Sequence, residues 1–183
     1  MLDRRTRIVD AAIAIVGEGG TRALTHRSID ARLGLPEGST SNYFRTREAL
    51  LDAAQERLLE VDRSTLADIH GGFDQLDDEA LARGLAEYAV RLCRPGRMLR
   101  TRARFALTLV YPERTGALLQ DWLRLGIEDL GAHGHRDPEG ATRRLLAYTD
   151  GVMLQAIVDS RGEGLELDRS QLAATILLLL RGA

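Results

Sequence analysis

Apolar residues recur along this chain at the spacing of one helical face. Ile8, Ala12, Ile15 and Val16 stand at i, i+4, i+7 and i+8, which predicts an amphipathic first helix. Gly17, Gly19 and Gly20 end it. Thr25 has the chemistry of an N-cap and opens a short segment in which Ile29 and Leu33 lie four apart. Gly34 suits a left-handed position after a helix, and Pro36 suits the first turn of the next. The pattern therefore predicts two short helices, 26–33 and 36–43, joined by a Gly-containing turn, which is the layout of a helix-turn-helix. Thr46 then caps a long helix that runs to His70.

Beyond it, long periodic stretches alternate with short breaks. The breaks fall at Gly71-Gly72, at Arg94-Pro95-Gly96, at Pro112, between Gly131 and Pro138, and between Arg161 and Leu167. They predict helices near 47–70, 75–93, 96–111, 113–131, 138–161 and 168–181. No stretch alternates with the period of a strand, and no repeat or low-complexity segment is present. The predicted fold is all-α, with an N-terminal three-helix helix-turn-helix domain over 1–46 and a six-helix domain over 47–183.

Composition sharpens this picture only in part. The 183 residues are 44% hydrophobic, 28% charged and 4% aromatic, enough to bury a core and keep a polar surface. The formal net charge of −2 hides an asymmetry: residues 1–50 hold eight Arg against six acids, and the remainder 17 Arg against 21 acids. All basic residues are Arg, so any cationic contact to phosphate uses a guanidinium. The single cysteine, Cys93, excludes an internal disulfide and a cysteine-built zinc site. The first residues are charged and amphipathic, without a signal-peptide core. The apolar runs, Ala11–Val16 and Ile176–Leu180 among them, are far below the roughly 20 residues that span a bilayer. A cytoplasmic location is the expectation.

Residues 24–50, LTHRSIDARLGLPEGSTSNYFRTREAL, resemble the DNA-binding core of the TetR family of bacterial repressors. The matching positions are Thr25, Ile29, Gly34, Leu35, Gly38, Tyr43, Phe44, Glu48 and Leu50, with Arg47 where the family usually has Lys. The helical layout of the rest is also TetR-like. The resemblance implies that the first three helices enter a major groove and that the later helices bind an inducer and dimerise. It implies a ligand-responsive transcriptional regulator, a repressor, that holds a palindromic operator as a homodimer and is released by a small, largely apolar effector. Three positions depart from the family pattern: Ser41 stands for a usual Tyr, Pro36 for a small hydroxyl residue and Glu37 for a basic one. These departures leave open a second reading, a regulator-like bundle that binds ligand or protein and has lost DNA binding.

The residue chemistry points the same way. Gly38, Ser39, Thr40, Ser41, Asn42 and Tyr43 are poor choices for a helix built for stability, and Gly inside a helix costs about 1 kcal/mol relative to Ala. They suit a segment whose short polar groups reach base edges and phosphates; the bland alternative is a solvated surface helix held by Leu35 and Phe44. Arg47 at a helix start opposes the macrodipole, and a phosphate there would reverse that sign. Thr25 can cap and donate to a phosphate, and Arg27 can reach a phosphate or a base. Arg4, Arg5 and Arg7 are either flanking backbone contacts or a solvated helix terminus.

For the second domain, Thr149, Val152, Met153 and Ala156 form a stripe on helix 138–161. Leu172, Ile176, Leu179 and Leu180 belong to a final helix that is apolar almost all round. Burial on two sides predicts that these eight residues face a twin subunit across a C2 four-helix interface. Tyr88, Met98, Arg102, Phe105, Trp122, Tyr148 and Gln155 are the candidates for the effector pocket; aromatics at this spacing also serve as plain core. Catalysis has little to stand on. His26, His70, His133, His135 and Cys93 are scattered, His133 and His135 lack the i, i+4 spacing of a helical metal site, and there is no phosphate loop or nucleophile elbow. No enzyme activity, cofactor or metal is expected; the expected partners are double-stranded DNA, a small effector and a second copy, with no membrane.

Overall fold

A computed structural model describes residues 3–70 and 77–182, without the side chains of His70, residues 114–119 and Asp121. Among the described residues there are eight α-helices and no strand: α1 (Arg4–Gly19), α2 (His26–Leu33), α3 (Arg47–His70), α4 (Asp78–Cys93), α5 (Met98–Val110), α6 (Pro112–Ala132), α7 (Pro138–Asp159) and α8 (Arg169–Arg181). Two 3-10 turns, Thr21–Ala23 and Thr40–Asn42, complete the order. The predicted break at Gly71-Gly72 lies outside the described residues.

The helix starts follow a common chemistry. Asp3, Asp77, Asp137 and Asp168 cap α1, α4, α7 and α8, each accepting a backbone N–H of the first turn. Thr25 caps α2 in a reciprocal box with Ser28, and Thr46 accepts from Ala49 N at the start of α3. At the end of α2, Gly34 takes φ +63°, and Leu35 N reaches back to Asp30 O at 2.9 Å, closing the helix in a Schellman arrangement.

The chain forms two compact units, and they do not divide after residue 46 as the sequence pattern predicts. The first comprises the chain up to Asp62 together with Leu99–Thr115. Its core joins Ile8, Ala12, Ile15 and Val16 of α1, Ile29 of α2, Phe44, and Leu50 and Leu51 of α3 with Ala103 and Leu107 of α5. The reason for the different division is packing distant in sequence: α5 fills the space beside α1 and α3. The second unit comprises Arg63–Met98 and the chain from Gly116. In it α4 packs along α8 and α7 around Leu81, Ala86, Leu145, Leu172 and Ile176.

One predicted helix is corrected. Residues 36–43 do not form an α-helix; turns at 37–39 lead into the 3-10 turn Thr40–Asn42. Gly38 sits at φ +88°, which no right-handed helix contains. Asn42 N and Tyr43 N bond three residues back, to Ser39 O and Thr40 O; only Phe44 N makes a four-residue bond, to Thr40 O. Local propensity is too weak in this Ser/Thr/Asn run to close a longer helix.

Candidate nucleic-acid interface

The segment between α2 and α3 is where the sequence places DNA contacts. Ser41, Asn42 and Tyr43 are exposed, Tyr43 to 44%. Gly38 is exposed at a backbone angle that excludes most other residues. Ser39 is half-buried, and its hydroxyl donates to Pro36 O at 2.6 Å. Glu37 and Pro36 are exposed beside them. A short run of hydrogen-bonding side chains thus faces solvent, with its backbone held from behind.

Thr40 is a correction. It is fully buried, and its hydroxyl donates to Asp30 Oδ1 at 2.6 Å, so it is a wedge between the segment and α2 and has no group to offer outward. Asp30 also accepts Thr40 N at 2.9 Å and Gly38 N at 2.8 Å. These bonds, the Thr40 hydroxyl foremost, hold the Asp30 carboxyl below its ordinary value against the opposing effect of burial. One turn earlier on α2, His26 Nε2 donates to Phe44 O at 2.6 Å. The sequence pattern assigns neither residue to this segment; the available signal is their i, i+4 spacing on α2, which puts them on one face.

Arg47 also differs from the expectation. Its guanidinium donates to Thr21 O at 2.6 Å, to the Tyr111 hydroxyl at 2.8 Å and to Leu24 O at 3.3 Å. The helix dipole that disfavours a cation here is outweighed by three oxygen acceptors. Arg47 braces the first unit, and a phosphate contact would have to share it with these partners. Thr25 is exposed; its oxygen accepts Ser28 N at 3.0 Å, which leaves the hydroxyl hydrogen to donate outward. Arg27 is exposed, as are Arg4 and Arg7. Arg5 lies over the Phe44 ring at 4.8 Å, a cation–π contact that ties the start of α1 to the end of the segment.

The candidates of the later helices are sorted by the same test. Arg102 and Phe105 belong to the first unit, while Tyr88, Met98, Trp122, Tyr148 and Gln155 belong to the second. Tyr88 and Met98 are buried; Trp122 and Tyr148 are half-buried. Gln155 is exposed and donates to Asp159 at 2.8 Å along the surface of α7, which removes it as a group aimed into a pocket. Most of the predicted dimer stripe is already buried in the single chain. Thr149, Met153 and Ala156 are buried in the chain, Leu172, Ile176 and Leu180 lie in the core of the second unit, and Val152 and Leu179 are half-buried against that core. The apolar residues left outside are Leu154, Val158 and Leu178, at 47, 63 and 58% exposure. His135 pairs with Asp78 at 3.0 Å and His133 lies beside Asp129, yet among the described residues no three His, Cys, Asp or Glu side chains gather as a metal site would need. No helix of the described residues is long and apolar enough to cross a membrane.

Comparison with known proteins agrees with this arrangement. Residues 8–54 match the family model described as bacterial regulatory proteins, tetR family. The chain is 26% identical over 201 residues to the HTH-type transcriptional regulator BetI of Cronobacter sakazakii, covering 98% of this chain and 92% of that protein. A TetR-family structure from Streptomyces coelicolor A3 superposes with a TM-score of 0.74 at 27% identity, covering 97% of this chain and 98% of that one. The multidrug binding protein EbrR, complexed with malachite green, superposes with a TM-score of 0.73 at 28% identity and the same coverage.

Proposed function

Because the chain belongs to the tetR family of bacterial regulatory proteins, we propose that it is a ligand-responsive repressor, cytoplasmic, which binds a palindromic operator as a homodimer. The observation that carries the reading is the segment 38–43, where exposed Ser41, Asn42 and Tyr43 stand on a backbone fixed from behind by Asp30 and His26. In this reading Asn42 and Tyr43 meet base edges, with Gly38 allowing close approach and Ser39 and Ser41 beside them. Thr25 and Arg27 hold phosphates at the start of α2, where the free N–H groups of a helix end also favour an anion.

Dimerisation is supported by the outward stripe of α7, Ala147, Gly151, Leu154 and Val158, and by Ala174 and Leu178 of α8. Two such pairs of helices make a C2 interface in which small residues let the backbones approach. Two copies would set their reading segments about 34–36 Å apart, one turn of DNA. For the effector, the likeness to EbrR in complex with malachite green and with ethidium supports a small, largely apolar molecule. Tyr88, Met98, Trp122 and Tyr148 are the side chains of the second unit suited to hold it. The effector releases DNA by favouring a form in which the two segments are wrongly spaced.

The test is selection of bound DNA from a random pool, followed by a salt titration on the enriched sequence. A two-fold-symmetric site is expected, with affinity that falls steeply as salt rises, because bound phosphates release counterions. Failure to enrich any sequence, or affinity indifferent to salt, overturns the reading.

A further inference from the structure

Asp30 is an anion, 2% exposed, on a helix that otherwise packs by Ile29 and Leu33. A buried carboxylate is costly unless its oxygens are satisfied, and here both are, by three donors from one short stretch of chain: Gly38 N on Oδ2, and Thr40 N and the Thr40 hydroxyl on Oδ1. An apolar pair could fill the same space. It could not fix direction, because dispersion contacts allow a segment to rotate and slide, whereas three hydrogen bonds onto two oxygens set both its distance and its twist. The far end of the segment is tied too, by His26 to Phe44 O at 2.6 Å. Between these two points only the backbone of residues 41–43 is left, and its side chains are the exposed ones.

We propose that Asp30 is the positioning residue of the reading segment: through Thr40 and Gly38 it sets the rotation of Ser41, Asn42 and Tyr43 about the segment axis, and so governs which bases are discriminated without touching DNA. The inference rests on the DNA-binding reading given above. It explains why Thr40 points inward in a run of otherwise outward polar residues. It also explains why the segment holds its shape without the hydrogen bonds of an α-helix.

The experiment measures, at one salt concentration, the ratio of affinity for the selected site to affinity for scrambled DNA. The proteins compared are the wild type, Asp30→Asn, Thr40→Val and Thr40→Ser. A residue that only stabilises the fold changes the active fraction and lowers both affinities alike, leaving the ratio unchanged. Asp30→Asn keeps the volume and the Thr40 bonds but turns an N–H group toward Gly38 N; its ratio is expected to fall about tenfold, the scale of one lost base contact, with scrambled-DNA affinity and its salt slope unchanged. Thr40→Val removes the hydroxyl and is expected to lower the ratio, and Thr40→Ser to restore it. A wild-type ratio in Asp30→Asn, or Thr40→Ser falling as far as Thr40→Val, overturns the proposal. If Asp30→Asn loses its helical circular dichroism, the Val and Ser pair decides alone. Were the wild type to enrich no sequence from a random pool, the DNA-binding reading would fall, and this inference with it.

Discussion

At the scale of single residues, Asp30 and Arg47 are two charges committed to internal partners. For Asp30 the consequence is a pH dependence with a definite sign. Its carboxyl is held below the ordinary 3.8, first by the Thr40 hydroxyl and then by the N–H groups of Thr40 and Gly38. A native value below the unfolded one means stabilisation that is complete above the unfolded value and lost as pH falls through the native one. Urea unfolding of wild type and Asp30→Asn is therefore expected to show a stability difference that is constant above about pH 5 and shrinks progressively below about pH 4. A difference that holds constant down to the acid limit would show that the carboxylate is not favoured in the folded state. For Arg47, three oxygen acceptors compete with any phosphate. Arg47→Ala is expected to lower unfolding stability by about 1–3 kcal/mol, the range for hydrogen bonds to a charged group. Arg47→Lys should recover little of it, since an ammonium lacks the planar fork that spans Thr21 O and the Tyr111 hydroxyl. Unchanged stability in Arg47→Ala would return that guanidinium to the role of a free phosphate contact.

At the scale of elements, the helices with clear apolar periodicity were legible in the sequence to within three residues. Ile8, Ala12, Ile15 and Val16 are all buried, and Thr25 and Gly34 stand where α2 starts and stops. What local pattern could not show is any feature fixed by a partner outside its own segment. The segment 36–43 reads as helix because Pro36 opens it, and only the grip of Asp30 with Gly38 at φ +88° reveals a 3-10 turn. The inclusion of α5 in the first unit is of the same kind. Its cause is visible at Gly17, where an added Cβ would stand 2.2 Å from the Leu99 carbonyl oxygen and 2.9 Å from its carbon. Backbone, not a flexible side chain, occupies that space. Gly17→Ala gains up to about 1 kcal/mol of helix propensity but must push the first turn of α5 away, and overpacking of this kind costs about 1–3 kcal/mol or more. The net expectation is a lower urea midpoint for Gly17→Ala; a higher midpoint would mean that α5 yields at no cost.

At the scale of the whole molecule, the proposed homodimer turns on which side of an apolar helix is left for a second copy. In a helix as uniform as α8, composition could show burial on two sides but could not say which side is which. The packing of α8 along α4 separates the two sides: Leu172, Ile176 and Leu180 face inward, four residues apart, and Ala174 and Leu178 face out. On α7 the outward residues Ala147, Gly151, Leu154 and Val158 follow spacings of four, three and four, the repeat of a helix seam. A charge at Leu178, already 58% exposed, has no internal core to disturb. The wild type is expected to move in sedimentation as two chains, and Leu178→Glu to keep its helix content while moving as one 20.2 kDa chain. Ile176→Glu, two residues away but completely buried, should lose folded structure outright, because an unpaired carboxylate there has no partner. The same Leu178→Glu monomer should bind a single half-site as the wild-type subunit does and lose the avidity that joins two half-sites, which is worth about 10²–10⁴ in affinity. If it still sediments as a dimer, the outward face of α7 and α8 is not the interface, and the two reading segments must be brought to their DNA by another surface.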